Sequence, residues 1–331
     1  MQSIESEEMI FHKLSITVTD KCNAACDMCC LSCSPQNNFH FDTNDLKAVI
    51  DEAAALNEMN EIIFTGGEAL LYYKQVLECS AYAFSQGLKV SLYTNGFWGD
   101  TQENANRIVN ELKDAGVTEL SFSADEYHQK YIPAENLLRA IRAVNDAGLK
   151  SRLTVMEIKG SQNLARVKEL LGDEVQRTKI ICHPLIPTGR ARDNFNDDQI
   201  LKLFQASNTA CIFENMLHLD FDGYYYMCCS IYCKDIPRLR IGKIFETPLA
   251  EFEQKVISDD FFYVMLLKGF SWYLDRAAEH GYYLPDKIAF PCECCKFIFC
   301  NPELMSMIEN DVHNEAKKLR ECIKMRKLLT L

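Results

Sequence analysis

Cys22-Asn-Ala-Ala-Cys26-Asp-Met-Cys29 constrains this chain more than any other stretch of its 331 residues. It follows a β-like run, Leu14 to Thr19, and opens the first long loop. Thiolates separated by three and then two residues fit three corners of a cubic iron–sulfur cluster, because a short turn folds such spacing around one centre. The fourth iron is then left without a protein ligand. Cys26, Cys30 and Cys33 repeat the same spacing, so two ligand registers are open. Zinc is the alternative occupant, held more usually by paired Cys-x2-Cys units or by added histidines.

The cysteines set the redox context. There are sixteen, thirteen of them grouped at 22 to 33, 211 to 233 and 292 to 300. In a reducing compartment such groups are metal ligands or reactive thiols rather than disulfides. Met1 to Ile10 holds three glutamates and neither a basic start nor an apolar run, so it is not a secretory signal. No apolar stretch approaches the roughly 18 residues of a membrane span, and a cytoplasmic location is expected. The 35 basic against 47 acidic residues give a net charge of −12. That charge opposes a phosphate backbone or an anionic bilayer, so neither nucleic acid nor membrane is the expected partner.

The length allows one large barrel-like domain with a small one, or two ordinary domains. Along the chain, short apolar runs alternate with amphipathic ones. Asp42 or Thr43 caps a helix whose Leu46, Val49, Ile50, Ala53 and Leu56 share a face. Strands are expected at Glu61 to Gly66, Lys89 to Thr94, Glu119 to Ala124, Arg152 to Ile158 and Lys179 to Pro187. Helices are expected at Leu70 to Gln86, Thr101 to Ala115, Pro133 to Ala147, Gln162 to Leu171 and near Asp198 to Ala206. Six strand–helix units imply a parallel sheet that right-handed crossovers curl toward a barrel. Beyond about residue 208 the alternation stops, with a hairpin turn expected at Asp222-Gly223. The expected division is a partial (β/α)6 TIM-like barrel over residues 1–207 and a smaller cysteine-rich domain over residues 208–331.

In such a fold active residues sit where strands end. Gly66-Gly67-Glu68, Thr94-Asn95-Gly96 and Ser123-Ala-Asp125 all fall there. Two glycines at a strand end let a ligand approach the backbone, although alone they also read as a simple turn. Asp125-Glu126-Tyr127-His128 is either an acid–base group or a solvated loop with a structural histidine.

With the cysteine loop, these strand-end motifs resemble the radical S-adenosylmethionine enzymes. The resemblance favours Cys22, Cys26 and Cys29, since the family's motif starts soon after the first strand and often carries Asn after its first cysteine. It implies an incomplete six-stranded barrel, a 4Fe–4S cluster whose open iron chelates S-adenosylmethionine, and a 5′-deoxyadenosyl radical made by one-electron reduction. Gly66 and Gly67 are implied to recognise the amino group of the methionine moiety through backbone groups, with Glu68 as a neighbour that shapes the loop, and Ser123 and Asp125 are implied contacts to the ribose or carboxylate of the nucleoside. Cys211, eleven residues, Gly223, four residues and Cys228, followed by Cys292-Glu-Cys294-Cys295, resemble the auxiliary-cluster domain called SPASM or twitch. Its implied ligands are Cys211, Cys228, Cys292 and Cys295, with zinc as the alternative. Cys300 stands only five residues after Cys295 and Cys322 far off, so at least one auxiliary 4Fe–4S cluster is expected and a second is not.

The resemblance narrows over Cys22 to Pro35, Phe64 to Glu68, Thr94 to Gly99, Asp125 to His128, Cys228-Cys229-Ser230 and Lys268 to Trp272. Together these are similar to the epipeptide-type radical peptide epimerases, which turn L-residues of a ribosomally made peptide into D-residues. Cys229 is then the implied hydrogen-atom donor, on the reasoning that neighbouring side chains on a strand face opposite ways. A buried, inert cysteine is the alternative. Implied partners are a ribosomally synthesised precursor peptide, held by the catalytic domains themselves, and an electron donor such as a flavodoxin or ferredoxin. The rival reactions are thioether or other oxidative crosslinking of a peptide. A non-catalytic iron–sulfur or zinc-binding protein is the remote alternative.

Overall fold

A computed structural model describes residues 11–211 and 215–329. Met1 to Ile10, the stretch lacking signal-peptide character, lies outside the described residues. Its first half alternates as expected: β1 Lys13–Thr17, α1 Thr43–Ala54, β2 Glu61–Thr65, α2 Tyr73–Ser85, β3 Lys89–Thr94 and α3 Gln102–Asp114. Then come β4 Val117–Ser123, α4 Ala134–Asp146, β5 Lys150–Glu157, α5 Asn163–Leu171 and β6 Thr178–Pro184.

Local chemistry explains these elements. The Asp42 carboxylate accepts from the Asn44 N–H at 2.8 Å and starts α1, whose Leu46, Val49, Ile50 and Ala53 are buried. Thr101 caps α3 the same way, through the Asn104 N–H at 3.1 Å. Each fully buried Leu, Ile or Val contributes about 1.5–3 kcal/mol relative to exposure. Along β1, Leu14 and Ile16 enter the apolar core while Ser15 and Thr17 occupy the other face.

β1 to β6 pair in sequence order and in parallel, giving the α/β partial-barrel fold of the radical SAM type. Three corrections follow. The helix expected over Leu70 to Gln86 is two elements, because Glu68 accepts from the Leu70 N–H at 3.1 Å and caps a separate 3-10 turn, Ala69–Tyr72. No helix spans Asp198 to Ala206. The short helix α6 lies earlier, at Arg190–Asn194. Asn196 and Gln199 then close a single 3-10 turn, and β7, Phe204–Gln205, is drawn into pairing with a later strand while the Phe204 ring packs on Phe290.

The third concerns the late strands. β8 Met216–Leu219, β9 Tyr224–Tyr226 and β10 Arg240–Lys243 extend the barrel sheet itself, giving nine strands in all. β8 runs parallel beside β1, with His218 opposite Ser15. The expected hairpin joins β8 to β9, with Gly223 at φ +79° and its N–H donating to the Asp220 carbonyl at 2.9 Å.

Helices α7 Phe252–Ser258 and α8 Asp260–Glu279 follow, then β11 Lys287–Ile288, which pairs with β7, and α9 Cys292–Phe299 and α10 Pro302–Leu329. Phe261, Phe262, Tyr263, Phe270 and Tyr273 of α8 are buried, so they pack the core rather than line an open groove. Among the described residues no helix is long and apolar enough to cross a membrane.

Candidate active site

The cysteine loop leaves the end of β1 and is closed by backbone bonds. The Cys22 N–H donates to the Ser34 carbonyl at 3.1 Å and the Cys29 N–H to the Cys26 carbonyl at 3.1 Å. Cys22 and Cys26 are buried and Cys29 is partly so. Burial pushes the Cys22 thiol up to about 11 and the Cys26 thiol up to about 12. Cys29 goes the other way, to about 6, because the Cys33 thiol donates to it. The Ala24 N–H and the Asn95 amide, at 3.4 and 3.9 Å, both point donors at the Cys22 sulfur. Three thiols on one loop, two of them buried with N–H donors beside the first, suit thiolate ligation, in which metal replaces the protons. Cys30 of the alternative register is exposed, and Cys33 is buried.

The loop after β2 packs on this segment. A Cβ on Gly66 would lie 2.6 Å from the Thr19 carbonyl oxygen, and one on Gly67 would lie 2.3 Å from that of Lys21. The Gly67 and Glu68 N–H groups donate to those same oxygens at 2.8 and 2.9 Å. The glycines are therefore required for close packing of the two loops. Glu68 is buried, and both carboxylate oxygens are taken: Oε1 accepts from the Leu70 N–H and the Thr94 hydroxyl, Oε2 from the Asn95 N–H. Burial pushes its carboxyl up to about 7. Its contacts make it a brace between loops.

Ser123, the last residue of β4, is partly buried, and Asp125, just beyond the strand, fully so. Oδ1 of Asp125 accepts from the N–H groups of Tyr127 and His128 and pairs with Nδ1 of His128 at 2.9 Å. Its Oδ2 is buried without a hydrogen-bond partner among the described residues. A carboxylate oxygen left so is costly unless a ligand completes it, and its free lone pairs suit an O–H or N–H donor. Burial works against a charged His128, but the Asp125 carboxylate prevails and its pKa is raised.

Cys211, Cys228, Cys292 and Cys295 line one cavity, walled by Leu239, Met265 and Phe270. Cys292 and Cys295 stand one turn apart on α9, where i and i+3 share a face, whereas Cys294 is turned into the core. α8 bends beside the cavity at Gly269, whose φ of +75° interrupts the helix between Met265 and Phe270. Burial raises the thiols of Cys228 and Cys295 well above the ordinary value. The donor set, four cysteines in an apolar cavity, fits a fully ligated cluster. Among the described residues no three His, Cys, Asp or Glu side chains gather around a single-ion position. A cubic cluster, with its corners at separate irons, does not ask for that.

Cys229 needs a different account from the strand argument. β9 stops at Tyr226; Cys228 lies in the bend that follows, and Cys229 in the irregular chain just past it. The two still diverge: Cys228 lines the four-cysteine cavity, while Cys229 is not among its lining residues and is exposed. Cys233 is buried, Cys300 donates its thiol to the Asp235 carbonyl at 3.1 Å, and Cys322 is exposed.

One residue, Arg190, escaped the sequence reading, and another, Asn95, was given no role of its own. Asn95, after β3, donates to Oδ1 of Asn23 at 2.8 Å as well as pointing at Cys22; its place in the strand-end triplet was the available signal. Arg190 donates from Nε to the Cys26 carbonyl at 2.9 Å and from Nη2 to the Cys33 carbonyl at 2.6 Å. No sequence periodicity marks it.

Comparison with known proteins places the chain among relatives of similar sequence or fold. YydG of Bacillus subtilis (strain 168), whose name assigns it to peptide biosynthesis, is 26% identical over 307 residues, covering 88% of this chain and 92% of that protein. An S-adenosylmethionine-dependent nucleotide dehydratase of Selenomonas ruminantium is 35% identical over 91 residues, 26% of this chain and 30% of the relative. Among solved structures, anSMEcpe with bound AdoMet and the Cp18Cys peptide aligns over 93% of this chain and 99% of its own at 14% identity and TM-score 0.50. Streptococcus suis SuiB bound to precursor peptide SuiA aligns over 77% and 66% at 12% identity and TM-score 0.53. These two share the fold. The family model described as the radical SAM superfamily matches residues 16–172, the stretch that holds the three-cysteine loop, Gly66-Gly67-Glu68 and Asp125. Residues 16–172 are therefore similar to the radical SAM superfamily.

Proposed function

We propose that this chain is a radical S-adenosylmethionine peptide epimerase, converting L- to D-residues in a ribosomally synthesised peptide. The observation that carries the reading is the divergence of two adjacent thiols: Cys228 turned into the four-cysteine cavity, Cys229 exposed outside it. The relative named for peptide biosynthesis, matched over most of both chains, supports a peptide substrate. So does the shared fold of two proteins solved with bound peptides.

In this reading Cys22, Cys26 and Cys29 hold the catalytic cluster, and residues 1–207 carry the radical chemistry. Gly66 and Gly67 keep the loop after β2 close to the cluster loop, Glu68 braces it, and Asp125 with Ser123 holds the nucleoside end of the cofactor. Bound S-adenosylmethionine, reduced by one electron from a flavodoxin or ferredoxin, supplies the 5′-deoxyadenosyl radical that removes an α-hydrogen atom. Cys229 then gives a hydrogen atom to the peptide α-carbon from the opposite face, so the S–H bond breaks as the new C–H bond forms. The resulting thiyl regains its thiol with one electron and one proton. Cys211, Cys228, Cys292 and Cys295, in residues 208–331, would hold an auxiliary cluster, which would supply one-electron chemistry next to Cys229.

The test is anaerobic reaction of the reconstituted protein with S-adenosylmethionine, dithionite and the peptide encoded beside its gene. The reading expects 5′-deoxyadenosine together with a D-residue in the hydrolysed peptide at unchanged mass. A peptide lighter by about two mass units, with no D-residue, points instead to oxidative crosslinking.

A further inference from the structure

The connection after β6 closes over the cysteine loop. Gly189 adopts φ +52°, and a Cβ there would lie 2.3 Å from the Cys30 carbonyl oxygen and 2.7 Å from that of Cys29. Only glycine permits this approach. The Arg190 N–H donates to the Cys29 carbonyl at 3.0 Å. Its guanidinium bridges the carbonyls of Cys26 and Cys33 at 2.9 and 2.6 Å. A segment 164 residues away in sequence from Cys26 thus fixes both halves of the loop. Arg192, two positions on, turns away to pair with Asp235.

The charge of Arg190 is spent on carbonyls. Among the described residues it makes no ion pair, and its backbone and side chain together contact the carbonyls of Cys26, Cys29 and Cys33. A planar five-donor fork spans two carbonyls where a lysine ammonium would act as a point charge. A positive charge near a cluster stabilises the state that carries the extra electron.

Resting on the reading that Cys22, Cys26 and Cys29 hold the catalytic cluster, we infer that Arg190 is a positioning residue with two effects. Its fork holds the cysteine loop in ligating shape, and its uncompensated charge favours the reduced cluster. Lysine in its place keeps the second effect and loses the first.

The experiment is a redox titration followed by electron paramagnetic resonance, without S-adenosylmethionine, on the reconstituted full chain. It compares wild type, Arg190→Met, Arg190→Lys and a variant with Cys22, Cys26 and Cys29 all changed to alanine. The triple variant identifies which signal belongs to the three-cysteine site; if it loses no signal and no iron, the cluster reading itself fails. With that signal assigned, Arg190→Met is expected to cut the reduced-to-oxidised ratio at fixed potential at least tenfold, about 59 mV for a one-electron couple. Arg190→Lys is expected to titrate like wild type but to lose iron faster to a chelator. A wild-type midpoint in Arg190→Met overturns the charge role. If the Met variant holds no cluster, the Lys variant decides: a wild-type midpoint supports the inference, and a tenfold shift despite the retained charge overturns it.

Discussion

The backbone N–H of Asn95 donates to Oε2 of Glu68 at 2.7 Å, tying the loop after β2 to the loop after β3. The same asparagine points its side-chain amide at Cys22, so a carboxylate behind the site sets the place of a donor to the cluster motif. Glu68→Gln puts an NH2 group against one of three donors. Leaving a buried donor unpaired costs about 1–3 kcal/mol. A lower urea midpoint at unchanged m-value is expected, and an unchanged midpoint would show that the brace is dispensable.

Gly67 tests the close packing of the two loops. In Gly67→Ala the new methyl meets the Lys21 carbonyl at 2.3 Å, so the loops must part. Binding of S-adenosylmethionine to the reconstituted protein, measured calorimetrically, is expected to weaken at least tenfold, about 1.4 kcal/mol. Gly148→Ala is the control. Its φ is also positive but nothing lies within 4 Å, so stability falls by the cost of the left-handed conformation, about 1–2 kcal/mol, and cofactor affinity holds.

His218 makes stability depend on pH. It is buried on β8, with Nε2 at 3.3 Å from the Thr17 hydroxyl and Nδ1 lacking a partner among the described residues. Burial lowers its pKa below the ordinary 6.5. The unfolded chain then binds the proton more tightly than the folded one, so stability falls as pH drops through 6.5 and is recovered above it. Denaturation of wild type and His218→Gln from pH 5 to 8 reads this as a difference of slopes. The account expects the wild-type curve to be the steeper below pH 6.5; parallel curves would contradict it.

Iron content tests the second site. If Cys211, Cys228, Cys292 and Cys295 hold a cluster of their own, Cys228→Ala lowers bound iron from about eight to about four per chain. The signal assigned to the three-cysteine site should remain. Full iron content in this variant would return the cavity to ordinary packing.

Much of this was legible in the sequence because it is local. Caps at Asp42 and Thr101, helical stripes such as Leu46 to Ala53 and the strand-end placement of Gly66 and Asp125 follow from short-range periodicity and turn chemistry. What failed was set by partners distant in sequence. The segment Asp198 to Ala206 carries a helical pattern, yet pairing of Phe204–Gln205 with Lys287–Ile288 outweighs it. β8 joins the barrel sheet through Ser15 opposite His218, a register that composition does not encode. Arg190 acts on carbonyls, which have no sequence signature, and the partners through which Glu68 shapes its loop, Leu70, Thr94 and Asn95, include two set by the neighbouring strand rather than by local sequence. The convergence of the four cysteines on one cavity was anticipated from a resemblance, not from spacing alone.

The most direct test of the epimerase reading is mass spectrometry of the product peptide formed in deuterated water, with exchangeable protons washed back, by wild type and Cys229→Ala. An exchangeable thiol donor predicts a gain of about one mass unit per event at an α-carbon that becomes D-configured, and no such product from the Cys229→Ala protein while 5′-deoxyadenosine still forms. Equal deuterium incorporation and D-residue formation by the Cys229→Ala protein would contradict the account.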